Sequence, residues 1–217
     1  MSVARPRGGW RKAVQKLKKC LDSELAGVNS RHSDLDPSSP DLERYLDLLV
    51  EWGAHHDLMA ARDADELVDL SLADAYVLAT VAAPDQRWVD VGTGAGAPGM
   101  PLALLRADLQ VTLVEPRVKR VAFLRTVIGS VNAPGLCVVR ARSDTQGDGS
   151  FEVSVSRATL PPPQWLVEGK RLATDFVWLM LAKSDPPALP GLDLEIDVRY
   201  PLPLSGASRR LVGYRRG

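Results

Sequence analysis

The chain has 217 residues, 45% of them hydrophobic and 25% charged, which suits one folded domain with a sizeable core and argues against disorder. Its 27 basic side chains equal its 27 acidic ones, so no global field draws it to nucleic acid and any such contact must be local. Cys20 and Cys137 offer neither a disulfide framework nor metal-ligand spacing, and no apolar run is long enough to cross a bilayer, so a cytoplasmic protein with no metal and no membrane partner is expected.

In chain order, Arg5, Arg7, Arg11, Lys12, Lys16, Lys18 and Lys19 all precede the first acidic residue, Asp22. Val14, Leu17, Leu21 and Leu25 recur at helical spacing, which predicts a basic amphipathic helix from Trp10 to Ala26. Asn29 to Pro40, rich in Ser, Asp and Pro, reads as a linker, so residues 1–40 are expected to be an N-terminal extension. Residues 41–83 read as a helical lead-in. Leu42, Tyr45, Leu46, Leu49 and Trp52 share one face of a helix from Asp41 to Trp52, and Asp63 is placed to cap interrupted helical turns that run to Val81.

The pattern changes after Pro84. Arg87–Val91, Gln110–Glu115, Leu136–Arg140, Glu152–Ser156 and Phe176–Ala182 read as buried strands, with Pro101–Leu105, Val118–Val131 and Gln164–Leu172 as helices between them. Such alternation implies a parallel sheet covered by helices on both faces. Asp193–Tyr200 and Arg209–Tyr214, joined by a turn containing Ser205-Gly206, predict a closing antiparallel hairpin. Residues 84–217 are therefore expected to form a Rossmann-like α/β core.

The strand ending Asp90-Val91 runs straight into Gly92-Thr93-Gly94-Ala95-Gly96. Glycines there permit positive φ and a close approach of backbone to ligand, at the strand end where open α/β sheets bind small molecules. Gly92, Gly94 and Ala97 also satisfy the looser dinucleotide pattern, so spacing alone leaves two cofactor classes open. The context favours one of them. Pro98, Gly99 and Pro101 are expected to delay the helix that a pyrophosphate would need, with Pro101 at its first position. Asp90 places an acid beside the glycines, which suits a nucleoside carrying a sulfonium. Glu115, ending the next strand, is placed to accept hydrogen bonds from ribose hydroxyls.

From Tyr45 to Tyr214 the chain resembles the RsmG/GidB family, bacterial methyltransferases that modify a guanine of small-subunit ribosomal RNA at nitrogen-7. The likeness rests on Val89-Asp90-Val91-Gly92-Thr93-Gly94-Ala95-Gly96-Ala97-Pro98-Gly99-Met100-Pro101, on Val114-Glu115-Pro116-Arg117 with Phe123-Leu124-Arg125, on Arg140-Ala141-Arg142-Ser143-Asp144, and on Ser156-Arg157-Ala158. Ala182-Lys183-Ser184 and Tyr200-Pro201-Leu202-Pro203 are similar to its later blocks. The resemblance implies a class I S-adenosylmethionine-dependent methyltransferase fold, a mostly parallel seven-stranded sheet with a C-terminal antiparallel hairpin and a helical N-terminal extension. It implies S-adenosylmethionine as cofactor, and ribosomal RNA or the 30S subunit as partner. Cofactor contacts are expected from Gly92, Ala97, Ser143, Asp144 and Arg157, and the loop itself adds Asp90, Gly94, Gly96 and Glu115. Arg157 and Lys183 are the expected substrate-side residues, and no metal ligand is implied. Candidate phosphate contacts are the basic N-terminal segment with Arg199, Arg209, Arg210, Arg215 and Arg216.

Two blocks depart from the family. Asp57-Leu58-Met59-Ala60 stands where the family carries Asn-Leu-Thr-Ala, and Ser71-Leu72-Ala73-Asp74-Ala75 where it carries His-x-x-Asp-Ser. Those changes leave open a methyltransferase with a small-molecule or different RNA acceptor, and a non-catalytic binder of the cofactor.

Overall fold

Seven strands with alternating or continuous apolar runs pair into one sheet, and the helices cover its two faces. The computed structural model describes residues 3–4, 6, 9–26, 35–182 and 184–217. Five strands are parallel in the order β3-β2-β1-β4-β5: β1 (Arg87–Val91), β2 (Gln110–Val114), β3 (Leu136–Val139), β4 (Phe151–Ser156) and β5 (Ala173–Leu181). β7 (Ser208–Arg216) runs antiparallel to β5 and to β6 (Leu192–Pro201), which forms the edge. The chain order turns back between β1 and β4, so the carboxyl ends of those two strands flank the crevice where this fold class binds ligands.

The helices are α1 (Arg11–Glu24), α2 (Pro40–Gly53), α3 (Ala64–Val68), α4 (Asp74–Val81), α5 (Gly99–Leu105), α6 (Val118–Ile128) and α7 (Pro162–Leu172). One apolar cluster joins α1, α2, α4, α5 and α6 to one sheet face; the other joins α7, through Trp165 and Leu166, to Val89, Val177 and Leu179.

The basic helix expected near the N-terminus forms, and it packs into the core. Trp10, Val14, Leu17 and Leu21 are fully buried in the larger cluster, and the Trp10 indole donates to Asp47 Oδ1 at 2.8 Å. Of the expected linker, residues 29–34 lie outside the described residues, as do Arg5 and Arg7; Leu35 beyond them is buried. Asp63 caps α3, accepting the Glu66 N–H at 2.8 Å. The expected interruption before Val81 is a π-helical segment, Asp69–Ala73, that joins α3 to α4.

α5 begins at Gly99, two residues before the expected Pro101 start. The first helical residues have no intrahelical partner for their N–H groups, so a proline third in the helix removes no hydrogen bond.

Candidate functional site

Four hydrogen bonds, one between backbone groups and three with side chains, shape the loop after β1. The Gly92 N–H donates to the Val114 carbonyl at 2.8 Å, locking the loop against the end of β2. Glu115 is 2% exposed and braces the same loop from the side. Its Oε2 accepts the Gly94 N–H at 3.0 Å, and its Oε1 accepts the Arg117 N–H at 2.8 Å. The Tyr45 hydroxyl, from α2, donates to the Ala95 carbonyl at 2.9 Å. The Thr159 hydroxyl donates to the Val91 carbonyl at 3.0 Å and closes the loop on the side of β4.

Gly92, Gly94 and Gly96 all have positive φ, at 66°, 62° and 102°. A methyl group on Gly92 would lie 2.3 Å from the Thr159 hydroxyl, so the loop needs the absence of a side chain as well as the torsion.

The loop borders two adjoining cavities that share Gly92, Pro116 and Thr159. The first, about 360 Å³, is polar: Gly94, Ala97, Glu115, Arg120 and Arg157 line it, with Leu58 and Met59 on its outer wall. The second, about 270 Å³, is mostly apolar and is walled by Val91, Val114, Ala141, Ser143 and Leu160.

The structure sorts the expected residues. Gly92, Gly94, Ala97, Glu115 and Arg157 line the polar cavity, and Ser143 the apolar one. Asp90, Gly96 and Asp144 line neither. Asp90 is fully buried under the loop, where Oδ2 accepts the Thr93 hydroxyl at 2.6 Å and the Gly99 N–H at 2.9 Å. It therefore caps α5 rather than facing the cavity, and burial pushes its carboxyl up to about 6. The cap also disposes of the dinucleotide alternative by a route the prolines did not suggest: the helix terminus that would cradle a pyrophosphate is already taken by a protein carboxylate. Gly96 gives room to Met100, whose Cβ would lie 2.8 Å from an added methyl. Asp144 is exposed in a single 3₁₀ turn, 3.7 Å from Arg142. Lys183 lies outside the described residues.

Arg157 enters the polar cavity from the end of β4 with its charge already matched. Its Nη1 donates to the Leu70 carbonyl at 2.5 Å and to Asp74 Oδ2 at 3.0 Å. Arg120 is 3.9 Å from Glu115 Oε2. Sequence reading missed Thr159, Arg120 and Tyr45 as parts of the site. Tyr45 looks like any core aromatic on an amphipathic helix, and nothing in the pattern says that its hydroxyl reaches across 50 residues.

Three of the five hairpin arginines are engaged by neighbouring groups. Arg210 is 9% exposed and bound to Asp197 and Asp185; Arg215 joins Asp175 and Glu195; Arg216 donates to the carbonyls of Lys170 and Ala173. Arg210 is thereby withdrawn from solvent, while Arg215, Arg216 and Arg199 stay exposed. Among other basic groups, Arg117 lines the polar cavity. Arg117, Lys119, Arg125 and Arg140 are exposed, and their side chains make no hydrogen bond or ion pair among the described residues. Among the described residues no cluster of three potential metal ligands occurs, and no helix is long and apolar enough to cross a membrane.

Comparisons with known proteins agree with this architecture. Residues 38–173 match the family model described as rRNA small subunit methyltransferase G, GidB. The chain is 42% identical over 120 residues to ribosomal RNA small subunit methyltransferase G of Mycobacterium leprae, a match covering 54% of this chain and 49% of that protein. It thus spans about half the length of that relative. It is 36% identical over 167 residues to the protein of the same name from Halorhodospira halophila, covering 76% of this chain and 78% of the relative. In fold it is similar to M. jannaschii TYW2 crystallised with AdoMet, with a TM-score of 0.53 and 13% identity over 65% of this chain and 73% of that one.

Proposed function

Because the chain belongs to the rRNA small subunit methyltransferase G family, we propose that it transfers a methyl group from S-adenosylmethionine to guanine nitrogen-7 of small-subunit ribosomal RNA. The observation that carries the reading is the paired cavity at Gly92, apolar on one side and polar on the other, with a buried carboxylate at Glu115. A flat adenine suits the apolar wall of Val91, Val114, Ala141 and Leu160, with Ser143 at its edge. Glu115 keeps lone pairs beyond the two backbone donors it serves, enough to accept from ribose hydroxyls. In this reading Arg120, which lines the polar cavity, meets the carboxylate of the amino-acid end, and Arg157, which lines it too, serves between donor and acceptor.

S-adenosylmethionine supplies an electrophilic methyl on a sulfonium. Guanine nitrogen-7 brings a lone pair and no proton, so the chain need provide no general base there. What its residues contribute is alignment: a rigid loop fixed at four points holds one reactant while the cavity mouth receives the other. Near-attack positioning of this kind accounts for roughly 7–11 kcal/mol of a barrier. In this reading the exposed Arg117, Lys119, Arg125 and Arg140 are the candidates to meet phosphates around an extruded guanine.

A second reading, in which the same chemistry serves a different acceptor, is favoured by one feature. Met59 puts a thioether on the cavity wall where the family carries threonine, and the Ser71 hydroxyl, where the family carries histidine, lies 3.6 Å from its sulfur. The two departures thus touch each other. Incubation with radiolabelled S-adenosylmethionine and either 30S subunits, deproteinised rRNA or a small-molecule extract separates the readings. Label on guanine nitrogen-7 of the small-subunit RNA is expected. Label only in the small-molecule fraction supports the second reading, and none in any fraction ends the methyltransferase proposal.

A further inference from the structure

Arg157, Asp74 and Tyr200 form a chain that runs from the polar cavity to the C-terminal hairpin. Asp74 is 2% exposed: Oδ2 accepts from Arg157 at 3.0 Å, and Oδ1 accepts the Tyr200 hydroxyl at 2.5 Å. Tyr200, on β6, is itself 1% exposed. The π-helical segment before α4 presents the Leu70 carbonyl to the same guanidinium. A second carboxylate in that segment, Asp69, accepts the backbone N–H groups of Leu204 and Ser205 from the hairpin loop. The hairpin thus grips the π segment at both ends, and the segment grips Arg157.

The charges in the cavity pair off. Glu115 lies beside Arg120 and Asp74 beside Arg157, while Asp90 is buried beneath the loop and Arg117 sits on the exposed rim. The cavity is small enough that any ligand in it lies well within a Debye length, about 8–10 Å, of Arg157. An unmatched guanidinium there would repel both a sulfonium and the cation that guanine becomes on methylation.

We propose that Asp74, held in place by Tyr200, neutralises Arg157 so that the cavity accepts a positively charged methyl donor. This inference rests on the methyltransferase reading. It assigns Asp74 and Tyr200 a function that a packing role does not require, namely discrimination between a cationic and a neutral sulfur ligand. S-adenosylmethionine and its demethylated product differ in that one charge and in the methyl that carries it, so the ratio of their dissociation constants reports the field at the sulfur.

Calorimetric titration of the full-length protein with both compounds tests it. Asp74→Asn keeps the geometry, since the amide oxygen still accepts from Arg157 and the amide nitrogen donates to the Tyr200 oxygen. It should weaken the sulfonium compound about tenfold or more relative to the thioether, the order expected for one uncompensated charge in a partly desolvated site. Arg157→Gln should move the ratio the other way, because it leaves Asp74 unmatched, and this second variant decides the question if the first does not fold. Tyr200→Phe should shift the ratio in the direction of Asp74→Asn by less. If the wild type binds both compounds and neither Asp74→Asn nor Arg157→Gln changes the ratio, the charge-matching inference is overturned and the methyltransferase reading stands. If the wild type binds neither compound, both fall together.

Discussion

At the scale of single residues, the glycine loop owes its shape to what surrounds it as much as to its own torsions. Gly92→Ala combines a positive φ with a contact of 2.3 Å to Thr159, so it should abolish measurable binding of S-adenosylmethionine in calorimetry. Gly53→Ala has nothing within 4 Å and serves as the silent control. Asp90 gives a pH signature. Its carboxyl sits near 6 in the folded protein and near its ordinary 3.8 in the unfolded chain, so the folded state binds the proton more readily. Relative to Asp90→Asn, the wild type should gain about 1 kcal/mol as pH falls from about 7 to about 5, and lose it as pH rises back through 6. Thermal melts of the two proteins across that range check it; a constant difference in Tm overturns it. The sequence places Asp90 next to the glycines but cannot say which way it points. Adjacency along a strand alternates faces, and the helix N–H that claims this carboxylate lies nine residues downstream.

At the scale of elements, periodicity carried most of the information. The spacing of Val14, Leu17 and Leu21 predicts α1, and the alternation after Pro84 predicts every strand of the sheet to within about three residues. What periodicity leaves out is what each apolar stripe packs against. A basic helix before a Pro- and Ser-rich stretch looks detachable, yet α1 buries Trp10 completely and ties its indole to Asp47. Trp10→Ala should therefore cost about 3–5 kcal/mol in urea denaturation, as expected for a large aromatic removed from a packed core. Val118→Ser, at a residue 61% exposed, should change stability by less than about 0.5 kcal/mol. The hairpin arginines teach the converse lesson: clustered in sequence, they look like a phosphate-binding patch, but cross-strand carboxylates at Asp175, Glu195 and Asp197 claim Arg210 and Arg215.

At the scale of the whole molecule, a chain of zero net charge must concentrate any attraction for RNA locally, and the exposed groups at Arg117, which lines the polar cavity, and at Lys119, Arg125 and Arg140 are the candidates for it. Raising salt from about 50 to about 200 mM should weaken binding to a ribosomal RNA fragment by ~tenfold or more, and Lys119→Glu with Arg140→Glu should flatten that response. Equal slopes for wild type and variant in fluorescence anisotropy would show that the contact lies elsewhere. The π-helical segment has a bearing on how this architecture can change over time. A π turn holds one residue more than the α turn it replaces. Excising one of its residues should relax the segment to an α turn and keep α3 and α4 in phase, so that Asp74 still faces Arg157 and Tyr200. The segment is therefore a spot where descendants of this chain can lose a residue without turning α4 round, at the expense of the carbonyl that Leu70 offers to Arg157.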